Sequence, residues 1–381
     1  MLNTGFHYVI VGAGCAGLQL ALALAEETQA TNKKIALIDK RRPSENDKTW
    51  SFWEAGPGQW DPILTSSYSQ AFFKAPKTKL KLELPPYTYK SLNAKDFYDY
   101  AFKKLQTYSH LIFLKEEVIG INENRKEALV TTALGSYPCS HVFDSRIPAA
   151  FYNQKRYLKI QQHFKGIRVK TKQPIFDTKV FTMMDYRLSY PDSTSFMYVL
   201  PYSPNEALIE FTFFSPFTVK ESVYDQYNRE YLKTYFNLTD FEILETETGN
   251  IPMSNYPFHK HHTSRITKIG TGGGWVKSSS GYSFKNTEKK VKHIIKNIQK
   301  DRLPSYGLYS KKYNFYDTIF LKVLHDNNHL GPWLFTQFYT KNSVPTMFRF
   351  LDEESRFKEE FKIMRSLFSW AFIKAFFQTR F

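Results

Sequence analysis

The feature that most constrains this chain is a glycine-rich turn between a short strand and a helix, close to its start. Residues 7–11 form an apolar, β-branched run, and Gly12-Ala13-Gly14-Cys15-Ala16-Gly17 follows directly, before apolar residues at helical spacing. In such a G-x-G-x-x-G pattern the first glycine makes the turn, the second admits a pyrophosphate, and the third packs helix on strand. The pattern therefore predicts a dinucleotide site. The residues expected to contact the dinucleotide are Gly12, Ala13, Gly14, Ala16 and Gly17.

A second strand and a second glycine cluster extend this prediction. Residues 34–38, apolar after Lys34, indicate a second strand that ends at Asp39. This acid lies 22 residues after Gly17, where a ribose-binding carboxylate is expected, and Lys40 follows. Far along the chain, an apolar strand end runs into Gly270-Thr271-Gly272-Gly273-Gly274. A late turn that returns to the same nucleotide is typical of flavoproteins, so FAD is favoured. Two alternatives stay open, a turn before a core helix for the first cluster and an ordinary loop for the second. The further residues expected to bind FAD are Asp39, Lys40, Gly270, Gly272, Gly273 and Gly274.

Composition narrows the possible partners. The 42% of hydrophobic residues excludes a disordered chain, and two cysteines exclude a disulfide scaffold. No secretory signal and no apolar run of spanning length is visible, so we expect no membrane-spanning helix. The net charge is +16 and 17% of residues are aromatic, which favours an anionic membrane surface and an apolar ligand over nucleic acid. His259, His261 and His262 lack further ligands at metal spacing, so no metal is expected.

Several sequence blocks, in the same order, resemble the lycopene cyclases, the flavoproteins that close the β-ionone rings of carotenoids. The blocks are Asp47-Lys-Thr-Trp-Ser-Phe-Trp-Glu54, Val142-Phe-Asp-Ser-Arg146, Phe196-Met-Tyr-Val-Leu-Pro201 with Ala207-Leu-Ile-Glu-Phe-Thr212, Gly249-Asn-Ile-Pro-Met253, Ser280-Gly-Tyr-Ser-Phe284 and residues 348–354. The chain departs from the family at Ile147, where proline is common, and at Thr271, where broader flavoproteins have aspartate. In the family's acidic block it has one carboxylate, Glu210, instead of two.

The resemblance implies a non-redox, acid-catalysed cyclisation of the ends of lycopene, or a related acyclic carotenoid, to β-ionone rings. It implies reduced FAD as cofactor, NAD(P)H as the external reductant, and Glu210 as the catalytic acid. It also implies that Trp50, Trp53, Glu54 and Tyr282 lie in the flavin or substrate pocket.

The residues themselves support Glu210 only in part. Strand alternation places Leu208, Glu210 and Thr212 on one face, where apolar neighbours would raise the pKa of the acid. An exposed glutamate on an edge strand is the alternative. Asp144 and Arg146 follow an apolar strand and could approach the cofactor or form a salt bridge with each other.

The expected fold class is α/β, with a Rossmann-like FAD-binding domain, an antiparallel substrate sheet and C-terminal helices. The expected domains are a discontinuous FAD-binding domain of residues 1–55, 90–150 and 245–300, a substrate-binding sheet of residues 56–89 and 151–244, and a helical region of residues 301–381. Residues 353–381 show an amphipathic pattern that fits a membrane interface or a core-facing helix.

We expect a cytoplasmic protein, peripherally associated with the inner face of the membrane. Two other functions share these signals. One is an FAD-dependent monooxygenase acting on an apolar carotenoid or isoprenoid, and the other is a non-enzymatic flavoprotein that binds carotenoid.

Overall fold

The computed structural model describes residues 5–31 and 33–380. In chain order its strands are β1 (Phe6–Val11), β2 (Ile35–Asp39), β3 (Thr49–Ala55), β4 (Ser66–Tyr68), β5 (Gln70–Ala75), β6 (Thr78–Glu83), β7 (Tyr87–Asn93), β8 (Leu111–Lys115), β9 (Val118–Glu123), β10 (Ala128–Thr132), β11 (Ser136–Asp144), β12 (Lys159–Lys170), β13 (Val180–Asp185), β14 (Ser195–Ser203), β15 (Glu206–Ser215), β16 (Glu242–Ser254) and β17 (Ile266–Lys268). The helices are α1 (Cys15–Thr28), α2 (Ala94–Leu105), α3 (Ala149–Asn153), α4 (Glu221–Phe236), α5 (Phe284–Gln299), α6 (Lys311–Asp326), α7 (Gly331–Lys341), α8 (Val344–Leu351), α9 (Phe357–Ser366) and α10 (Trp370–Arg380).

The first sheet is the nucleotide sheet. Its strand order is β8-β2-β1-β11-β10-β9, with β17 beside the end of β11. The pairs β8–β2, β2–β1, β1–β11 and β11–β17 are parallel, and β9 and β10 add an antiparallel hairpin. Helices α1, α2 and α5 cover one face with a continuous apolar core. Because the central strands are buried on both faces, they carry uninterrupted apolar runs.

The second sheet is antiparallel except for the parallel pair β13–β5, and its order is β16-β12-β15-β14-β13-β5-β6. Strand β16 pairs with β12 from Glu242 to Ser254. The boundary expected at residue 245 therefore falls inside a strand, and residues 245–254 lie in this sheet and not in the nucleotide sheet. The other domain limits remain predictions. A small sheet of order β3-β7-β4 completes the strands.

Strand β15 lies in the interior of the second sheet, between β12 and β14, and is covered on both faces. Its odd-numbered residues pack against α4, while Leu208 and Phe214 join a core formed with the C-terminal helices α6 to α10. This is the alternation that the sequence predicts. Together with the nucleotide sheet, this arrangement confirms the predicted fold class.

Asn328, in the turn between α6 and α7, fixes the helical layer to the second sheet. Its amide donates to the carbonyl oxygens of Phe214, at 2.8 Å, and Leu324, at 2.9 Å, and its Oδ1 accepts the Thr194 backbone N–H at 2.8 Å. The side chain is buried, so each of these groups depends on it for a partner.

We therefore expect Asn328→Ala to lower the free energy of unfolding by about 1–3 kcal/mol, since it leaves buried polar groups unsatisfied. Guanidinium titration followed by circular dichroism measures this. The exposed neighbour His329 provides the control, and His329→Ala should change stability by less than about 0.5 kcal/mol. Equal effects of the two substitutions would contradict this role.

Candidate active site

A cavity of about 890 Å³ connects the nucleotide turn with the C-terminal helices. Gly14, Cys15 and Thr271 line one end, and Glu210 lies along its wall on β15. The opposite end is apolar. It is lined by Ile319, Phe320, Leu334, Phe335, Phe338, Met364, Leu367, Phe368, Phe372, Ile373, Phe376 and Phe377. A ligand that fills this cavity would have a polar end at the nucleotide turn and a long apolar remainder.

The geometry of the first turn fits a dinucleotide. Gly12 has φ of +101°, which favours glycine, and a Cβ on Gly17 would lie 1.8 Å from the Gly12 carbonyl oxygen. A Cβ on Gly14, by contrast, would meet nothing within 4 Å. Gly14 therefore leaves open space at the start of α1, where free backbone N–H groups point toward a bound anion.

Asp39 and Lys40 differ in their relation to this turn. The Asp39 Oδ2 accepts the Ala13 backbone N–H at 2.7 Å, so the carboxylate lies beside the loop. Lys40 is exposed and pairs with Glu117 at 3.4 Å. The structure brings Asp39 to the turn and leaves Lys40 on the surface.

The second glycine cluster packs directly against the first. A Cβ on Gly270 would lie 3.0 Å from the Ala16 Cβ, and one on Gly272 would lie 2.4 Å from the Arg146 carbonyl oxygen. Gly270 and Gly274 both have positive φ. The two clusters are thus neighbours in space, but the residue of the second cluster that lines the cavity is Thr271.

Of the predicted pocket residues, Trp50 and Tyr282 line the cavity. Tyr282 follows Gly281, which has φ of +74° and packs against the Gln162 side chain. Trp53 is displaced from the cavity, because its ring stacks on Phe348 at 4.4 Å.

Glu54 also lies outside the cavity. It forms ion pairs with Lys90 at 2.9 Å and with Lys285 at 2.5 Å. Glu54 lies four residues further along β3 than Trp50, and these ion pairs hold its carboxylate away from the cavity.

Asp144 and Arg146 form the salt bridge that the sequence left as an alternative. The Arg146 Nε donates to Asp144 at 2.9 Å, and Lys268 donates to the same carboxylate at 2.8 Å. Burial alone would raise the pKa of Asp144, but these two cations hold it below its ordinary value. The cluster joins β11 to β17 at the edge of the nucleotide site.

Glu210 is 7% exposed, and its side chain faces the cavity. The Thr212 hydroxyl donates to its Oε1, and Tyr198 is its direct cross-strand neighbour on β14. Burial raises the pKa of Glu210 well above its usual value, and the nearby charge of Glu247 raises it further. A carboxyl group in such a place holds its proton at neutral pH and can act as an acid.

Sequence reasoning missed Glu247. This residue lies on the edge strand β16, whose backbone is largely exposed, but its carboxyl group faces the cavity and accepts from the Thr49 hydroxyl at 2.9 Å. Burial raises the pKa of Glu247 as well, against the opposing effect of the Thr49 hydrogen bond. The signal available in the sequence was Gly166, a glycine inside a strand, which often marks a close approach.

A chain of hydroxyl groups borders the two acids. The Tyr198 hydroxyl donates to the Ser51 Oγ at 3.0 Å, and the Tyr89 hydroxyl lies 2.9 Å from that of Tyr198 and 3.1 Å from that of Tyr282. All of these side chains line the cavity. The polar region of the cavity therefore contains a row of hydrogen-bonded hydroxyl groups next to Glu210.

The fold is that of FAD-binding enzymes with a Rossmann-like nucleotide sheet and an antiparallel substrate sheet. A geranylgeranyl bacteriochlorophyll reductase-like protein from Thermoplasma acidophilum superposes with a TM-score of 0.61 at 12% identity, over 98% of this chain and 99% of that one. The flavin-dependent brominase Bmp2 superposes with a TM-score of 0.59 at 12% identity, over 96% and 93% of the chains. The halogenase PltM, in a complex with phloroglucinol and FAD, gives 0.59 at 11% identity, over 98% and 90%.

The comparison of sequences identifies a family, which is more specific than the shared fold. The sequence model described as "Lycopene cyclase protein" matches residues 8–377, nearly the whole chain. This protein therefore belongs to the lycopene cyclase family. No curated protein matches it significantly.

Gly14 offers a direct test of the nucleotide site. We expect Gly14→Ala to fold normally, because the added methyl meets no protein atom, and to weaken FAD binding about tenfold or more, because the methyl would occupy pyrophosphate space. Fluorescence titration of the apoprotein with FAD measures the change. Gly120→Ala is the matched control, since a Cβ there also meets nothing within 4 Å but lies on β9, away from the cavity. Unchanged affinity in Gly14→Ala would place the dinucleotide elsewhere.

Proposed function

We propose that this protein is a lycopene β-cyclase that uses reduced FAD in carotenoid biosynthesis. The observation that carries this proposal is a buried acid, Glu210, on the wall of a cavity that has a dinucleotide turn at one end and an apolar lining at the other. Membership of the lycopene cyclase family supplies the substrate class, an acyclic carotenoid.

The reaction is an isomerisation, so it needs an acid and a base but no net oxidant. A proton from Glu210 adds to the terminal double bond of the polyene, and the neighbouring double bond attacks the resulting cation to close the ring. Loss of a ring proton restores neutrality, and β-carotene forms through γ-carotene when both ends react. Atoms and electrons are conserved, as an intramolecular lyase requires.

The surroundings of Glu210 suit this chemistry. The raised pKa keeps the proton on the acid at neutral pH, and the apolar lining excludes water that would capture a cation. The rings of Tyr198 and Tyr282 border the same space, and aromatic faces attract a cation by about 0.5–2 kcal/mol each.

The nucleotide end fits FAD. Gly12, Gly14 and Gly17 would hold its pyrophosphate, and Asp39 beside Ala13 would bind its ribose. Reduced flavin would supply negative charge near the cation. We propose NAD(P)H as the external reductant.

The decisive experiment is pigment analysis in cells that accumulate lycopene. We expect the wild-type protein to replace lycopene by a bicyclic carotene, and Glu210→Gln to lose at least about 100-fold of this activity because the amide cannot donate an acidic proton. Glu242→Gln, an exposed glutamate on β16, is the control and should behave as wild type.

Three other results would change the assignment. Cyclisation that survives Glu210→Gln would remove this residue from the acid role. Unchanged lycopene with FAD-loaded protein would reject the cyclase, and stoichiometric consumption of oxygen and NADPH would then identify a monooxygenase. Carotenoid binding without turnover would identify a binding protein.

We further propose that the C-terminal helices contact the inner face of the membrane. Phe357 and Trp370 are 80% and 82% exposed, and Phe361, Met364, Phe368 and Phe377 are exposed beside them. Met364, Phe368 and Phe377 also line the cavity, so the apolar surface continues into its apolar end. Exposed basic residues lie between these rings, namely Lys358, Lys362, Arg365 and Lys374. Apolar rings with interspersed cations fit an anionic lipid surface.

Among the described residues, no helix is long and apolar enough to span a bilayer, so this proposal concerns surface contact. We expect the triple variant Phe357→Ser, Phe361→Ser and Trp370→Ser to lower binding to vesicles of phosphatidylcholine and phosphatidylglycerol by about tenfold or more, because each ring contributes buried apolar area. Sedimentation with vesicles measures this.

The control for membrane contact removes exposed apolar side chains elsewhere. Ile119 and Leu134 are 66% and 79% exposed in the β9–β11 region, so Ile119→Ser with Leu134→Ser should leave vesicle binding unchanged. Equal loss in the two variants, or none in either, would contradict docking through α9 and α10.

A further inference from the structure

Two glutamates from different strands face each other across a third strand. In the register of the second sheet, Gly166 on β12 is the direct partner of Glu210 on β15 and of Glu247 on β16. Directly opposed residues project from the same face of a sheet, and both glutamates line the cavity. Glu210 and Glu247 therefore flank a position that has no side chain.

The missing side chain at Gly166 gives the two acids room to approach. A Cβ there would lie 2.9 Å from the Leu208 Cδ1, 3.2 Å from the Glu247 Cγ and 3.5 Å from the Glu210 Cβ. A larger residue would displace the Leu208 methyl and crowd the Glu247 side chain. Glycine inside a strand lowers the stability of the strand. At position 166 the absence of a side chain leaves room for the two glutamates beside it.

The two buried glutamates affect each other, and the charge of Glu247 raises the pKa of Glu210. Ionised carboxylates are acceptors only, so direct contact between the two groups requires a proton on one of them. Two negative charges on opposite sides of Gly166 repel each other in a water-poor site, whereas a single shared proton removes that repulsion. Thr212 donates to Glu210 and Thr49 donates to Glu247, which positions both groups.

We propose that Glu210 and Glu247 form a carboxyl pair that shares one proton, and that Glu247 is the positioning residue that keeps this proton available on Glu210. The proposal rests on the cyclase function proposed above and deepens it. Before reaction the pair carries one proton and one negative charge. Glu210 gives the proton to the terminal carbon–carbon double bond, while Glu247 remains ionised beside it.

The pair also accounts for the removal of a proton at the end of the reaction. After transfer both groups are carboxylates, and their mutual repulsion favours uptake of a proton from the closed ring. The donated proton stays on the carbon skeleton and Glu210 takes a different proton from the ring, so the pair again holds one proton and the skeleton is isomerised without gain or loss of atoms or electrons. Glu210 is then both the acid and the base of the reaction, and Glu247 sets its affinity for the proton.

Other titratable groups face the pair, and none of those in the described part of the chain is an unpaired cation beside it. Arg168, on β12, is paired with Glu206 and Glu245. The Lys277 amine pairs with Asp317 and Glu353. The remaining titratable groups in this region are Tyr198 and Tyr202 on β14, Tyr89 on β7, Tyr282 before α5, and Lys48, which pairs with Asp47.

The pH dependence of cyclisation tests the pair. The reactive form holds a proton on Glu210, so activity is lost as the pH rises through the pKa of this group. Glu247→Gln removes the neighbouring negative charge while keeping an oxygen that can accept from Thr49. We expect the alkaline limb of the rate profile of the FAD-loaded enzyme to move about 1–2 units toward lower pH. At a fixed pH on that limb, this is a loss of about 10–100-fold that acidification restores.

A second variant disturbs the pair without removing either acid. Gly166→Ala should shift the alkaline limb in the same direction, because the added methyl crowds the Glu247 side chain and hinders its approach to Glu210. Glu242→Gln, at an exposed glutamate on the same strand as Glu247, should leave the profile unchanged. A uniform loss at every pH in both test variants, with no movement of the limb, would overturn the pairing and leave only a structural role.

Infrared spectroscopy of the purified protein tests the shared proton without relying on turnover. We expect the C=O band of a neutral carboxylic acid in the wild type at neutral pH, absent in Glu210→Gln and titrating at lower pH in Glu247→Gln. This band without any cyclisation would keep the pair and reject the proposed function. Cyclisation without the band, or a band that Glu247→Gln does not move, would reject the pair and keep the function.

Discussion

The site depends on the burial of β15 from both sides. Helix α4 covers one face of this strand through Ile209, Phe211 and Phe213, and the C-terminal helices cover the other face around a cavity. A carboxyl group on such a strand is largely removed from water, so its charged form is penalised. Burial by these layers is the main cause of the raised pKa of Glu210, and the charge of Glu247 adds to it.

Local sequence patterns were sufficient for much of the fold. The turn at Gly12 was predictable because its glycines are needed for steric reasons. At Gly17, for example, a Cβ atom would lie 1.8 Å from the Gly12 carbonyl oxygen. The alternation along β15 was predictable because period two is a property of any strand. The limit at residue 245 was wrong because strand pairing between β16 and β12 is non-local, and nothing within residues 242–254 specifies its partner.

The site was less accessible to sequence reasoning, for the same physical reason. The sequence showed one carboxylate in the acidic block, whereas the second comes from β16 and reaches Glu210 only through the strand order β16-β12-β15. Glu54 and Trp53 were expected in the pocket because the family resemblance implied it, and core packing was the alternative. In the sheet, Glu54 instead meets Lys90 and Lys285, and Trp53 stacks on Phe348. Side chains of consecutive residues on a strand point to opposite faces, as those of Trp53 and Glu54 do. Side chains that meet in the site, such as those of Glu210 and Glu247, come from distant segments of the chain.

The C-terminal helices link the chemistry of the acid to the route by which an apolar substrate would arrive. Phe335 and Leu334 of α7 line the cavity beside the sheet that carries Glu210, while Met364 of α9 and Phe377 of α10 line it and are also exposed. The layer of C-terminal helices therefore shields Glu210 from water and also exposes apolar side chains on the protein surface. Since the proposed polyene substrate has no polar groups to recognise, the length and shape of the apolar lining would have to decide how far such a molecule enters toward Glu210.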